Sequence, residues 1–248
     1  IGVRGFSEQV FEVERNLQRE IGKTLVLEIS GCNMDCIFCD RHELMKNENG
    51  LLLGKALWRE IEKEYLYGAF DSISFLGGNP DQSLSSVIDF LSIEPDWAEK
   101  IPIVWHTNGY SSPNLLNLIN GLVDIWVFDF KYFSDACAHK LSNVTDYVEY
   151  AKKGLKAICE MDKTVPIIVR HLLLPGHWEC CQKPLMDWLS KFKSQCFFNP
   201  MNQLIINEHT GEKLFPATTI KSEEYEKVME YAKKLKLRIT GSRLQFKK

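Results

Sequence analysis

Apolar, β-branched runs recur along this sequence with helical stretches between them, and run after run ends in glycine or polar residues. Such recurrence is the mark of βα units laid on a parallel sheet. Strands are expected at 24–29, 72–76, 101–105, 125–128, 166–172 and 196–198, with a final one over 237–240. Helical periodicity falls at 57–66, 84–91, 115–119, 147–159, 185–192 and 223–235. About six βα units are one or two short of an eightfold barrel. The expected fold is therefore α/β, a partial, open (β/α)6 TIM-like barrel in a single domain. Within its 248 residues we expect an N-terminal extension (1–23), a barrel core (24–200) and a C-terminal segment (201–248).

The strand endings carry the functional signal. Four strands run into Ser30-Gly31-Cys32, Gly77-Gly78-Asn79-Pro80, His106-Thr107-Asn108-Gly109 and Asp129-Phe130-Lys131, and a fifth ends at Arg170-His171. In a parallel barrel the C-terminal strand ends share the face that holds the active site. Residues scattered through the sequence should thus converge in space.

Composition excludes several alternatives. Hydrophobic residues at 45% and charged residues at 25% suit a globular chain. A net charge of −3 gives no electrostatic reason to expect nucleic acid or an anionic membrane surface. Lysines near the C-terminus (Lys233, Lys234, Lys236, Lys247, Lys248) read as a solvated face. No apolar run reaches the roughly 20 residues of a membrane span, and the opening residues do not resemble a signal peptide. The chain opens on Ile1 rather than Met, so a preceding piece is expected. Eight cysteines, with one tight group, do not form the evenly spaced framework of a small secreted domain. A reducing, cytoplasmic setting follows.

That tight group is Cys32, Cys36 and Cys39, spaced C-x3-C-x2-C directly after the first strand. Three thiolates on one loop can hold three irons of a cubane cluster, leaving the fourth iron open to a substrate or cofactor. Gly31 lets the chain turn off the strand, and backbone N–H groups of the loop can tune the cluster. The competing reading is a Cys3His zinc site completed by His42. Against zinc stand the missing second C-x2-C knuckle and the position at a catalytic strand end.

With Phe38 in the aromatic position, C-x3-C-x-aromatic-C resembles the signature of the radical S-adenosylmethionine (SAM) superfamily. Gly77-Gly78-Asn79-Pro80 looks like that superfamily's second-strand GGE-type motif, with Asn79 where glutamate usually stands. Thr107–Tyr110, Asp129–Lys131 and Val169–Gly176 look like the pyruvate formate-lyase activating enzyme-like group. The resemblance implies a radical SAM oxidoreductase with a [4Fe–4S] cluster and SAM as cofactors. It further implies reductive cleavage of SAM to a 5′-deoxyadenosyl radical, which abstracts hydrogen from a protein, peptide or small-molecule substrate. A flavodoxin- or ferredoxin-like electron donor is the implied partner. Under it, Cys32, Cys36 and Cys39 bind metal, Gly77 and Gly78 admit the methionyl group, and Phe38 packs near the adenine. Asn79, Asn108 and Asp129 meet polar groups of SAM, Lys131 pairs with its carboxylate, and His171 is counted with the cofactor-binding residues, although only one of Arg170 and His171 can face inward. The cysteine-bearing insert frequent in glycyl radical activases is absent, since no cysteine lies between Cys39 and Cys137.

The other cysteines (Cys137, Cys159, Cys180, Cys181 and Cys196) are too dispersed for a second cluster loop and read as buried thiols. Adjacent Cys180-Cys181 near His177 are the exception, open to a redox or metal role. His106 could line the pocket or be a structural histidine; His139 and His209 are expected to be exposed, and Trp58, Trp126 and Trp188 to lie in the core. From a different class, a non-catalytic iron–sulfur or zinc protein that binds a partner would carry the same cysteines without needing SAM contacts.

Overall fold

The computed structural model describes residues 24–42, 50–202 and 220–240. Among these residues seven strands pair in parallel and in chain order: β1 (Thr24–Ile29), β2 (Ser72–Gly77), β3 (Ile103–Thr107), β4 (Ile125–Asp129), β5 (Ile167–Leu172), β6 (Cys196–Met201) and β7 (Arg238–Ile239). Among the described residues β1 and β7 are the two edges and do not pair with each other, so this sheet is an open barrel. The connections carry helices α1 (Lys55–Leu66), α2 (Leu84–Leu91), α3 (Pro113–Asn117), α4 (Asp135–Ser142), α5 (Tyr147–Glu160), α6 (Lys183–Leu189) and α7 (Ser222–Lys234). No described helix is long and apolar enough to cross a membrane.

Strand alternation divides the sheet into two faces. Leu25, Leu27, Phe75, Trp105, Phe128 and Val169 join the helices in the large outer core. Val104, Ile125, Val127, Ile168 and Phe197 form a small separate cluster from strands alone, the floor of the barrel interior. Because both faces are covered, the strands read as nearly unbroken apolar runs. Helices dock by their apolar stripes: α5 buries Tyr147, Ala151, Leu155 and Ile158 at helical spacing. On α1, Trp58 stacks on Phe90 at 4.4 Å and donates its indole N–H to the Phe90 carbonyl at 3.0 Å. Trp58 and Trp126 are buried as expected, and Trp188 is half-buried against Phe130.

Three sequence expectations shift. The third strand begins at Ile103 rather than 101, because Pro102 has no N–H to give to the ladder and only its carbonyl takes part, accepting from Ile73. β3 and β4 then extend far enough to include His106, Thr107 and Asp129 as strand residues. Helix α4 was not expected at all. The expected extension 1–23 lies outside the described residues, as do 203–219 and 241–248 of the C-terminal segment and, with them, His209.

Candidate metal centre and active site

The Cys32–Cys39 loop is slung between two supports. On one side Gly78 donates its N–H to the Ile29 carbonyl and Asn79 to that of Gly31, both at 2.8 Å. A Cβ on Gly78 would stand 2.0 Å from the Gly31 carbonyl oxygen, and one on Gly77 2.5 Å from that of Ile29. The protein's own backbone at the root of the loop therefore demands both glycines. On the other side the Asp35 and Ile37 N–H groups donate to the Ser142 and Leu141 carbonyls at 3.0 Å. Those carbonyls end α4, where a helix leaves acceptors unpaired. Arg41, just past the loop, pairs with the buried Glu28 of β1 at 2.5 Å.

The thiols meet donors. Asn108 Nδ2 approaches Cys32 Sγ at 3.6 Å, and Ser142 Oγ donates to Cys36 Sγ at 2.9 Å while accepting from Tyr132 at 2.6 Å. Burial pushes the Cys36 thiol up to about 11 even though Lys131 and the Ser142 bond favour the thiolate. Burial also raises Cys39. Half-buried thiolates in such a place need a cation to hold them, and hydrogen bonds to sulfur are what tune an iron–sulfur cluster. Among the described residues, the group whose ligand atoms gather as tightly as one ion requires is elsewhere in the fold. The loop cysteines and His42 do not form such a group, so the donor set fits a cluster that spreads its thiolates over separate irons better than a single zinc.

Three asparagines lock the loop to the neighbouring strand ends. Asn108 Nδ2 donates to Asn33 Oδ1 at 2.8 Å, Asn79 Nδ2 to the same oxygen at 3.2 Å, and Asn33 Nδ2 to the Tyr110 carbonyl at 2.7 Å. Asn79 is thus a buried structural link in which an amide supplies both donor and acceptor, something a carboxylate could not do. Below it, Asp81 accepts from Trp105 Nε1 at 2.8 Å, Thr107 at 2.5 Å and Ser111, which pins the end of β3. Tyr147 Oη shares its hydrogen between the Asn108 and Asp129 carbonyls and accepts from the Lys131 N–H at 2.8 Å, tying β3 to β4.

The interior-facing side of the strand ends is polar. Asp129 and Arg170 are in register on neighbouring strands, with Arg170 Nε 2.6 Å from Asp129 Oδ1 and Lys131 Nζ 2.9 Å from Oδ2. Burial opposes the Asp129 charge, but Arg170 and then Lys131 outweigh it and hold the carboxyl well below the usual range. Lys131, expected to be available for a ligand carboxylate, is thereby already paired, and Arg170 is the inward member of Arg170-His171. His171 lies on the opposite, helix-facing side of β5, with Nδ1 2.7 Å from the Phe130 carbonyl. Burial lowers it to about 4, and His106 to about 3, so both are neutral near pH 7. Phe38, expected beside an adenine, is buried in the outer core with its ring 6.3 Å from that of Tyr132. Among the described residues, four buried polar atoms on the interior side have no partner: Ser74 Oγ, His106 Nε2, Asn199 Oδ1 and Thr240 Oγ1. Buried polar atoms are nearly always satisfied, so this interior fits a polar guest.

Asn33, Asp81, Ser142 and Tyr147 were not singled out by the sequence reading. Asn33 offered the best signal, a side-chain amide inside the cysteine motif itself. Cys159 and Cys196 face each other in the core at 3.6 Å, in keeping with buried thiols, and His139 is exposed.

A model of the Radical SAM superfamily matches residues 28–189. The uncharacterized protein MJ0674 of Methanocaldococcus jannaschii is 29% identical over 215 residues, covering 84% of this chain; the chain spans 61% of that relative's length. SuiB of Streptococcus suis, solved bound to its precursor peptide SuiA, superposes with a TM-score of 0.57 at 15% identity over 96% of this chain and 53% of its own. A domain of the pyruvate-formate lyase-activating enzyme from Bacteroides vulgatus gives a TM-score of 0.53 at 15% identity, covering 69% of this chain and 99% of that domain.

Proposed function

The chain belongs to the radical SAM superfamily, whose cofactors are a [4Fe–4S] cluster and SAM, and from that premise we propose that it abstracts hydrogen from a peptide or protein substrate. When bound, the cluster and SAM supply reductive cleavage of the sulfonium to methionine and a 5′-deoxyadenosyl radical. The observation that carries the reading is the cysteine loop, held at the strand ends over an interior where four buried polar atoms have no partner among the described residues. Cys32, Cys36 and Cys39 hold the cluster; Asn108 and Ser142 donate to its sulfur ligands. Gly77 and Gly78 keep the neighbouring wall thin. Asn108 and the Asp129–Arg170–Lys131 group receive the polar ends of SAM, with Asp129 orienting both cations. His106, neutral and with no partner for Nε2 among the described residues, offers a hydrogen-bonding nitrogen that does not compete for charge. The apolar floor and surrounding core exclude water from the reacting centre.

The peptide or protein class draws support from the open edge between β1 and β7, which leaves a lateral way in, and from the resemblance of the fold to peptide-binding SuiB. Likeness to the lyase-activating domain extends this to a glycyl radical activase as one member of that class. The electron donor in this reading is flavodoxin- or ferredoxin-like. The test is anaerobic reconstitution followed by dithionite and SAM, with 5′-deoxyadenosine measured by chromatography. Formation is expected, and expected to vanish in Cys32→Ala, Cys36→Ala and Cys39→Ala. A protein holding four irons that leaves SAM intact, with and without candidate peptides, would instead indicate a non-catalytic iron–sulfur protein.

A further inference from the structure

A second group of thiols lies outside the cluster loop and takes no part in the chemistry above. Cys137, His177, Cys180 and Cys181 place one ligand atom each within 4.8 Å of all the others. The measured edges are 3.5 Å from Cys137 Sγ to His177 Nδ1, 3.4 Å from Cys180 Sγ to the same nitrogen, and 3.7 Å between Cys137 Sγ and Cys180 Sγ. A tetrahedral zinc with Zn–S about 2.3 Å and Zn–N about 2.0–2.1 Å has S···S edges of about 3.8 Å and S···N edges of about 3.5 Å. The three edges among Cys137, His177 and Cys180 match both, and Cys181 Sγ lies within 4.8 Å of each of the other ligand atoms. Thiolates spread over the separate irons of a cluster would stand farther apart.

Local structure explains how two distant segments meet this geometry. His177, Cys180 and Cys181 stand at i, i+3 and i+4, the spacing that shares one face of a helix. The turn there is widened, with the Gln182 N–H reaching back five residues to the His177 carbonyl at 3.1 Å. Widened turns of this kind are frequent at functional sites. Cys137 comes from the first turn of α4, where Ser134 Oγ caps its N–H. Three sites are half-buried and Cys181 is fully buried, which suits a closed site without an open coordination position.

We propose that Cys137, His177, Cys180 and Cys181 form a structural zinc site. Three thiolates and one imidazole are a donor set zinc favours. The site also has a mechanical role. It fastens the beginning of α4 to the turn after β5, while the end of α4 supplies the Leu141 and Ser142 carbonyls that carry the Cys32–Cys39 loop. Zinc holds the strut on which the cluster loop rests.

The test uses the full chain with Cys32, Cys36 and Cys39 replaced by Ala, so that no motif thiol can take metal. Purified from zinc-supplemented medium, it is expected to hold one zinc per chain by mass spectrometry of metals. Adding Cys137→Ser and Cys180→Ser is expected to bring zinc to near zero. In case that variant fails to fold, the same triple-Ala chain, stripped by chelator and titrated with zinc, is expected to take up one equivalent. Its melting temperature should rise by about 5 °C on uptake. Cobalt in place of zinc should give the visible absorption of a tetrahedral thiolate site. A folded triple-Ala chain that takes up no zinc would overturn the proposal, as would zinc retained after both serine substitutions. Iron and sulfide retained by the triple-Ala chain would replace it with a second cluster. None of these readouts depends on SAM chemistry, so the two readings fail separately.

Discussion

The Cys32–Cys39 loop and the Cys137–His177–Cys180–Cys181 group gather thiols by opposite means. In the loop the ligands are neighbours in sequence, yet the fold does not draw them together as one ion's ligands. In the second group Cys137 and His177 are 40 residues apart in sequence, and the fold brings all four ligand atoms within 4.8 Å. The first arrangement spaces ligands for a polynuclear guest with an open position, and donors from other elements approach its sulfurs. The second closes on one ion and joins two elements. On the proposed readings one chain uses sulfur both for chemistry and for bracing, and α4 connects the two, with Cys137 near its beginning and Ser142 at its end.

The contrast can be broken most forcefully at the loop. Cys36→Ala should lower iron from about four per chain to near none while zinc at the second group remains; loss of both metals together would show that they are one system. Next in size is Asp129→Asn, which leaves Arg170 and Lys131 without their shared carboxylate. We expect about 3 kcal/mol of lost stability by denaturant titration, together with weaker SAM binding. That loss has a pH signature. The Asp129 carboxyl sits below its ordinary value, so its contribution is present above about pH 4 and fades as pH falls further. The gap between wild type and Asp129→Asn should therefore narrow in acid; a constant gap would mean the ion pairs contribute little. Asn33→Ala removes an acceptor for two amides and a donor to Tyr110, and should cost about 1–3 kcal/mol and slow cluster assembly. The smallest effect is expected of Ser142→Ala, a shift in cluster potential with unchanged iron content and a stability change of about 1 kcal/mol.

Legibility in the sequence followed the range of the interactions. The strands announced themselves because a doubly covered parallel sheet needs unbroken apolar runs, and their polar endings located the site face. The C-x3-C-x2-C loop was equally plain because its ligands are consecutive. Helix α4 was missed because Asp-Ala-Cys-Ala-His-Lys-Leu-Ser carries only a short apolar stripe. Its ends did carry signals, with Ser134 as N-cap, Asp135 in the first turn and His139 and Lys140 in the last. Which of Arg170 and His171 faces inward depended on strand register, which alternation alone leaves open until Asp129 is seen opposite Arg170. The charge group around Asp129 was out of reach for a similar reason, since a neighbouring strand supplies the Arg170 that joins Lys131 there. Of the second group, Cys180-Cys181 near His177 were already open to a redox or metal role, but Cys137 could not be joined to them because α4, which brings it to His177, was itself unseen.

The most direct test of the central claim is electron paramagnetic resonance of the anaerobically reconstituted, dithionite-reduced protein, recorded before and after SAM is added. The account predicts a reduced [4Fe–4S] signal that changes on SAM addition and is absent from the Cys32, Cys36 and Cys39 variants. A signal indifferent to SAM, or a loop that takes up zinc and no iron, would contradict it.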